Sequence, residues 1–243
     1  MPILLDWLAA ASPDVLCVQE TKVVDEDFPV GDIEGAGYDV AFKGQKSYNG
    51  VAIISRGMVT DVSCGLDDGG EPDEPRLIRA KYKGVHIVNT YVPQGREIES
   101  PMYPYKLEWF ARLRELFAKH YTTRQKVLWC GDLNVAPTEI DVHDPKRLMG
   151  HVCFNPEVQA AFRGVVEWGF IDVFRKHHPE PGQYTFFDYR SPKAVDNGRG
   201  WLIDHILVTK PLAARSVDCT IDLAPRRLPK PSDHTPLVAE FDL

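Results

Sequence analysis

Six polar side chains stand where apolar runs end, and their types suit one chemistry. Glu20 follows "LCVQ", Asp132 and Asn134 follow "VLWCG", Asp204 interrupts "WLIDHILV", and Asp233 and His234 precede the run "PLVAEF". Residues two apart in an extended stretch point to one side, so Asp132 and Asn134 aim a carboxylate and an amide at the same place. Each residue has a plainer reading. Glu20 alone reads as an exposed strand-end carboxylate, Asp204 as the partner of a buried arginine or a turn cap, and Asp233 and Asn134 as turn residues. His234 alone reads as a structural histidine. Together they say more, because unpaired carboxylates at a low-dielectric sheet edge are costly and repel one another unless a cation or proton sits between them. Oxygen donors with one imidazole and no thiolate suit a hard ion, Mg2+ or Mn2+, rather than zinc. Magnesium held by one or two carboxylates keeps positions open for water and phosphate oxygens. The chemistry indicated is hydrolysis of a phosphodiester or phosphomonoester.

The elements that must position these residues are short strands and a few helices. Strand runs are expected at 14–20, 38–44, 50–55, 76–82, 85–92, 126–132, 184–189, 201–208, 217–223 and 236–243. Alternation in "RLIRAKY" predicts a half-exposed strand, whereas the unbroken "VLWC" predicts a buried one. Lys83-Gly84, between two such runs, predicts a hairpin turn. Helices are expected for "ILLDWLAAA", closed by Ser12-Pro13, for 103–121 with apolar residues at 107, 110, 113, 116 and 117, and for 155–169. The last has Asn155 as N-cap, Pro156 in the first turn and Gly169 at its end. No repeat or low-complexity linker divides the chain. The expectation is a single α/β domain over 1–243, with two strand-rich sheets and helices outside.

Composition narrows the class without identifying a site. The chain has 243 residues, 44% hydrophobic and 26% charged, as in an ordinary soluble globular protein. No apolar run approaches the roughly 18 residues of a membrane helix, and the opening "MPILLDWLAAA", with Asp6 and no basic leader, does not read as a signal peptide. The five cysteines are odd in number, and none has zinc-ligand spacing; Cys17 and Cys130 lie in apolar runs as core thiols. A cytoplasmic location is expected. A net charge of −7 argues against a generally basic nucleic-acid binder, but a local basic face or bound cation still admits a phosphate chain.

In order, "QETK", "YNGVAI", "TYVPQG", "GDLNVAPTEIDVHDP", "FFDYRS", "RGWLIDHIL" and "PSDHTPL" make the chain resemble the bacterial exonuclease III family of abasic-site endonucleases, in the endonuclease/exonuclease/phosphatase superfamily. The resemblance spans essentially the whole chain. It implies a four-layered α/β sandwich, two packed β-sheets flanked by helices. It implies a Mg2+-dependent monomer (Mn2+ also serving) acting on double-stranded DNA with abasic sites or 3′ ends. The expected activities are cleavage 5′ to abasic sites, 3′→5′ exonuclease and 3′-phosphatase. Glu20 would bind the metal, with Asp233 near it directly or through water. Asp132 would take a proton from, or orient, the attacking water while Asn134 holds it in line. Asp204 would fix His234, whose imidazole donates to the scissile phosphate, and Tyr91 would offer its hydroxyl to the same phosphate or its leaving oxygen. Tyr48, Asn49, Gln94, Arg96 and Lys106 match places that meet the DNA backbone, although Arg96 and Lys106 equally suit solvated surface charges. Phe186, Trp201 and Ile203 match an apolar pocket for a flipped, base-less sugar; core aromatics are the alternative for Phe186 and Trp201.

One family feature departs. Members begin with a strand of the form "FNxNG", whose Asn helps organise the metal site, whereas this sequence opens in the following helix. That strand is expected to be absent, through a misplaced start or a truncation. Such a chain is expected to be less stable, and weaker in metal binding, than one with the strand restored. Two alternatives therefore stand beside the nuclease: a catalytically impaired DNA-binding member, and a superfamily phosphatase acting on a non-DNA phosphoester.

Overall fold

Lys83 and Gly84, both with positive φ (45° and 83°), turn the chain between two antiparallel strands, as the sequence predicts. The structure, a computed structural model, describes residues 1–69, 74–191 and 193–243. The fold is mixed α/β, with sheets and flanking helices. Among the described residues no helix is long and apolar enough to cross a membrane. By internal contacts the chain forms two compact units, Met1–Tyr91 with Val127–Gly131, and Val92–Lys126 with Asp132–Leu243.

The first unit holds helices α1 (Pro2–Ala11) and α2 (Val30–Gly35) and strands β1 (Val15–Gln19), β2 (Asp39–Lys43), β3 (Val51–Ser55), β4 (Thr60–Cys64), β5 (Leu77–Tyr82) and β6 (Val85–Tyr91). One sheet has the order β1-β3-β2, all antiparallel, and buries every residue of β3. In the other, β4, β5 and β6 lie side by side, followed by β7 (Val127–Asp132). Asn89 of β6 is wholly buried and joins the two sheets: it donates to Val18 O at 3.0 Å and Ala52 O at 2.9 Å and accepts from Gln19 Nε2. That anchors the end of β1, one residue before Glu20. The expected half-exposure of 76–82 is corrected here. β5 is almost entirely buried, an inner strand flanked by β4 and β6 whose polar side chain Arg79, 8% exposed, lies along its cross-strand partner on β4 and donates through Nε to Ser63 Oγ at 2.9 Å.

Gly131 of β7 has φ 130°, and a Cβ there would collide with the backbone of Thr90. The close approach brings Trp129 Nε1 to 2.9 Å from Thr90 Oγ1. Gly131→Ala is expected to destabilise the fold by about 1–3 kcal/mol through overpacking alone, a loss of about 2–4 °C in Tm per kcal/mol that a thermal melt reads directly.

The second unit holds α3 (Met102–His120), α4 (Pro145–Leu148), α5 (Pro156–Val166), β8 (Phe170–Asp172), α6 (Val173–His177), β9 (Asp204–Thr209), α7 (Lys210–Ala213), β10 (Ser216–Ile221) and β11 (Leu237–Phe241). The antiparallel pairs are β8 with β9 and β10 with β11. Helices α3 and α5 pack together, Phe110 meeting Phe162 edge to face at 6.3 Å. Asn155 caps α5 as expected, its Oδ1 accepting from the amides of Glu157 and Val158, and Pro156 opens the helix. The strand expected at 184–189 is not one. Residues there make only isolated bridges, Phe186 with Trp201 and with His234. Likewise β9 begins at Asp204, not at 201.

Candidate active site

In the second unit, every residue from Asp132 to Ala136 is held to another segment through its own backbone N or O, by a backbone or a side-chain partner. Asp132 O accepts from Val92 N at 2.9 Å, Leu133 N donates to Ile203 O at 2.9 Å, and Ala136 N donates to Cys153 O at 2.7 Å. Asn134 O accepts from Lys106 Nζ at 2.6 Å, and Val135 O faces His205 Nε2 at 2.9 Å. Asn134 sits at φ 49°, a left-handed conformation that asparagine tolerates better than most residues. Its amide N donates to Asp132 Oδ1 at 2.9 Å and its Nδ2 to Asp132 Oδ2 at 3.2 Å and Val92 O at 3.0 Å. The carboxylate and amide that sequence spacing predicts to converge are thus bonded to each other, and both are buried.

His234 joins this pair. Its Nδ1 lies 2.9 Å from Asp204 Oδ2 and 3.1 Å from Oδ1, while its Nε2 stands 3.8 Å from Asp132 Oδ2. Burial alone would lower the imidazolium pKa, but the carboxylates of Asp204 and Asp132, with Asp233 beyond them, push it up to about 10. His234 therefore carries both ring protons at neutral pH, one donated to Asp204 and one available on Nε2. The main chain of Asp233 accepts from Phe187 N at 2.8 Å. This constellation combines a fixed carboxylate, an amide beside it and an oriented cationic donor, the parts needed to guide a water and receive charge on a phosphate oxygen.

Beside it, Phe186, Trp201 and Ile203 belong to one apolar cluster with Ala136, Val142 and Phe154. Ile203 is buried, whereas Phe186 and Trp201 are only partly covered. The Phe186 ring lies 5.0 Å from the imidazole of His234, and the Trp201 ring 4.9 Å from His151.

The residues expected on the DNA backbone are placed differently from one another. Arg96 is exposed, in a turn with φ 61°, and its amide donates to Gln94 Oε1 at 2.6 Å. Lys106 corrects the sequence reading, because it has no exposed surface at all. An ammonium with no solvent-facing surface is neither a phosphate contact nor a solvated charge. Its Nζ donates to the carbonyls of Gln94 (3.1 Å), Asn134 (2.6 Å) and Val152 (2.9 Å), with Cys153 Sγ at 3.7 Å. Burial pulls its pKa down, against support for the charge from Cys153 and Asp132.

In the first unit, Glu20 stands just past β1 at φ 53°. The Tyr91 hydroxyl donates to Glu20 Oε1, and Lys22 Nζ is paired with Glu20 Oε2 at 2.5 Å. The Arg76 guanidinium lies 4.8 Å from the Tyr91 ring centroid. Asn49 and Gly50 accept backbone bonds from Lys22 N (2.9 Å) and Thr21 N (3.4 Å), which sets this stretch against the Glu20 turn. Asn49 is buried, while Tyr48 is 70% exposed. Among the described residues no three His, Cys, Asp or Glu side chains gather as a metal cluster. The Glu20 carboxylate nonetheless fits a hard divalent ion of the kind bound through one or two carboxylates plus water. It offers hard oxygen donors, it is partly exposed, and one of those oxygens already holds the ammonium of Lys22.

Sequence reasoning missed His205, Cys153 and the anchoring role of Lys106. His205 is buried and faces Asp172 Oδ2 at 3.3 Å. A histidine inside the apolar run "IDHILV" was the available signal for it.

Comparison with known proteins identifies related sequences and related folds. The model of the Endonuclease/Exonuclease/phosphatase family matches residues 3–234. Exodeoxyribonuclease III of Haemophilus influenzae is 36% identical over 241 residues, 94% of this chain and 90% of its own length. An AP endonuclease structure from Archaeoglobus fulgidus superposes with a TM-score of 0.97 and 51% identity, covering 100% of this chain and 94% of that one. A 3′ phosphatase from Neisseria, solved with a product DNA hairpin, superposes with a TM-score of 0.95 at 36% identity, again covering 100% and 94%.

Proposed function

The chain belongs to the Endonuclease/Exonuclease/phosphatase family, and from that premise we propose that it is a DNA repair nuclease. It hydrolyses the phosphodiester 5′ to abasic sites in double-stranded DNA and removes 3′ nucleotides and 3′ phosphates. Relatives named exodeoxyribonuclease III, AP endonuclease and 3′ phosphatase support this reading. The single observation that carries it is the Asp132–Asn134–His234–Asp204 constellation, with its buried carboxylate and raised imidazolium.

The roles proposed for the residues are these. Asp132, its oxygens oriented by Asn134, accepts the proton of the attacking water. His234, fixed through Nδ1 by Asp204, donates from Nε2 to the phosphate oxygen on which charge builds. Tyr91, whose hydroxyl donates to Glu20 within the first unit, would offer that hydroxyl to the phosphate or its leaving oxygen, as the family resemblance implies. Glu20 is the carboxylate that would hold a divalent cation, magnesium by its hard-oxygen chemistry, and Asp233 would assist. Such an ion supplies Lewis-acid stabilisation of a departing oxygen. Phe186, Trp201 and Ile203 would receive the base-less sugar; extrusion costs least where pairing is already lost. Tyr48, Asn49, Gln94 and Arg96 would meet the backbone of the duplex.

The test offers the protein a duplex with one abasic site, a duplex with a 3′-phosphate end, and inositol phosphates, each with Mg2+ and with EDTA. Metal-dependent cutting of the abasic strand and release of the 3′ phosphate are expected. Turnover of inositol phosphates with both duplexes left intact would overturn the DNA assignment.

A further inference from the structure

Three segments, two of which carry residues of the proposed site, converge on one buried ammonium. Lys106 lies in the second turn of α3 and is fully buried. An ammonium has three N–H donors and no acceptor, and Lys106 meets three carbonyls, of Gln94, Asn134 and Val152, from three separate segments of the second unit. Beside it the Cys153 thiol lies 3.8 Å from Asn134 Oδ1 and 4.0 Å from Gln94 Nε2. At Gly95, with φ 95°, a Cβ would stand 3.3 Å from Lys106 Cδ, so the 94–96 turn is wrapped closely around the lysine stem.

We propose that Lys106 is a positioning residue for the nuclease reaction: its ammonium, seated between the Gln94, Asn134 and Val152 carbonyls, holds the left-handed Asn134 turn in the form that orients Asp132. The inference rests on the function proposed above and extends it to a side chain that touches no substrate. Asn134 is bonded to Asp132 through both its backbone N and its Nδ2, and Nδ2 also reaches Val92 O; its carbonyl is a further external handle on that turn, and Lys106 takes it. Without the ammonium, three inward-facing carbonyls lose this donor and the φ 49° conformation loses its main-chain tether to α3, keeping the side-chain bond to Val92 O. A displacement on the 1 Å scale in such a group costs about 10²-fold in rate.

The test compares wild type, Lys106→Met, Asn134→Ala and the double variant on an abasic duplex, with Cys153→Ser as a milder disturbance of the same shell. Lys106→Met is expected to lower kcat by about 10²-fold with KM and the salt dependence of binding unchanged. The double variant is expected to be no slower than Asn134→Ala alone. A risen KM with a salt slope reduced by about one would make Lys106 a phosphate contact and overturn the proposal, as would additive losses in the double variant. If Lys106→Met does not fold, Cys153→Ser carries the same kcat-against-KM comparison, with a smaller loss expected in kcat only; no loss overturns the proposal. A readout independent of turnover separates this inference from the nuclease assignment. The Asn134 side-chain amide resonance, identified by its loss in Asn134→Ala, is expected to shift in Lys106→Met or Cys153→Ser even if the wild type cuts no DNA. An unmoved resonance also overturns the proposal.

Discussion

Asp132→Ala is expected to slow cleavage of an abasic duplex by about 10²–10⁴-fold while leaving affinity for that duplex close to wild type. The asymmetry follows from placement. Asp132 is 6% exposed and its oxygens face Asn134 and His234 rather than open solvent, so little of it can contribute to holding DNA. Removing it takes away the proposed proton acceptor together with the partner that fixes the Asn134 amide. Single-turnover rates and fluorescence-anisotropy binding on one abasic duplex separate the two quantities. Cleavage at nearly the wild-type rate would remove Asp132 from the base's role, and a parallel collapse in affinity would recast it as a binding residue.

Asp204→Asn is expected to cost about 10²–10³-fold at mildly alkaline pH, the scale of losing one oriented donor to a developing oxyanion. It should also move the alkaline limb of the pH–rate profile downward. His234 is raised to about 10 against the opposing effect of burial, with Asp204 as the foremost charge partner. A raised histidine acts through its protonated form. That form is complete below the ordinary value near 6.5 and disappears as pH climbs through about 10, so wild-type activity should hold across neutral pH and decline near that upper value. The ion pair's contribution to folding stability follows the same direction. With a neutral amide at 204, burial is opposed by less negative charge, and the limb should approach neutrality. Profiles recorded with one metal at constant ionic strength provide the check; coincident limbs in the two proteins would detach His234 from the pH dependence.

Strands whose whole environment is apolar were legible in the sequence: "GVAIIS" became β3 and "KVLWCGD" became β7, nearly residue for residue. So was the α5 start, because Asn155 and Pro156 act within one turn of chain. Long-range packing was less legible. "RLIRAKY" is an inner strand because β4 pairs along its edge, and the sequence of β4, "TDVSC", has too little apolar character to announce a strand. "YTFFDY" has strand composition but finds only isolated bridging partners. Within the site, Asp132 and Asn134 were readable because their pairing is set by a separation of two residues. The burial of Lys106 was not, since a lysine on a helix reads as solvated until three distant carbonyls are seen to surround it.

The short bridges around Phe186 have a mechanical consequence. Phe186 exchanges two backbone bonds with Trp201, each 2.9 Å, while its neighbours Thr185 and Phe187 are tied at 2.8 Å to Thr235 and Asp233, on either side of His234. The two aromatic residues and the segment that carries the imidazole are therefore linked directly through their backbones. Under the proposed function, a guest too bulky for that lining would push on the segment that carries His234 as it entered, which would make rejection of intact nucleotides and loss of catalytic competence a single event rather than two successive checks.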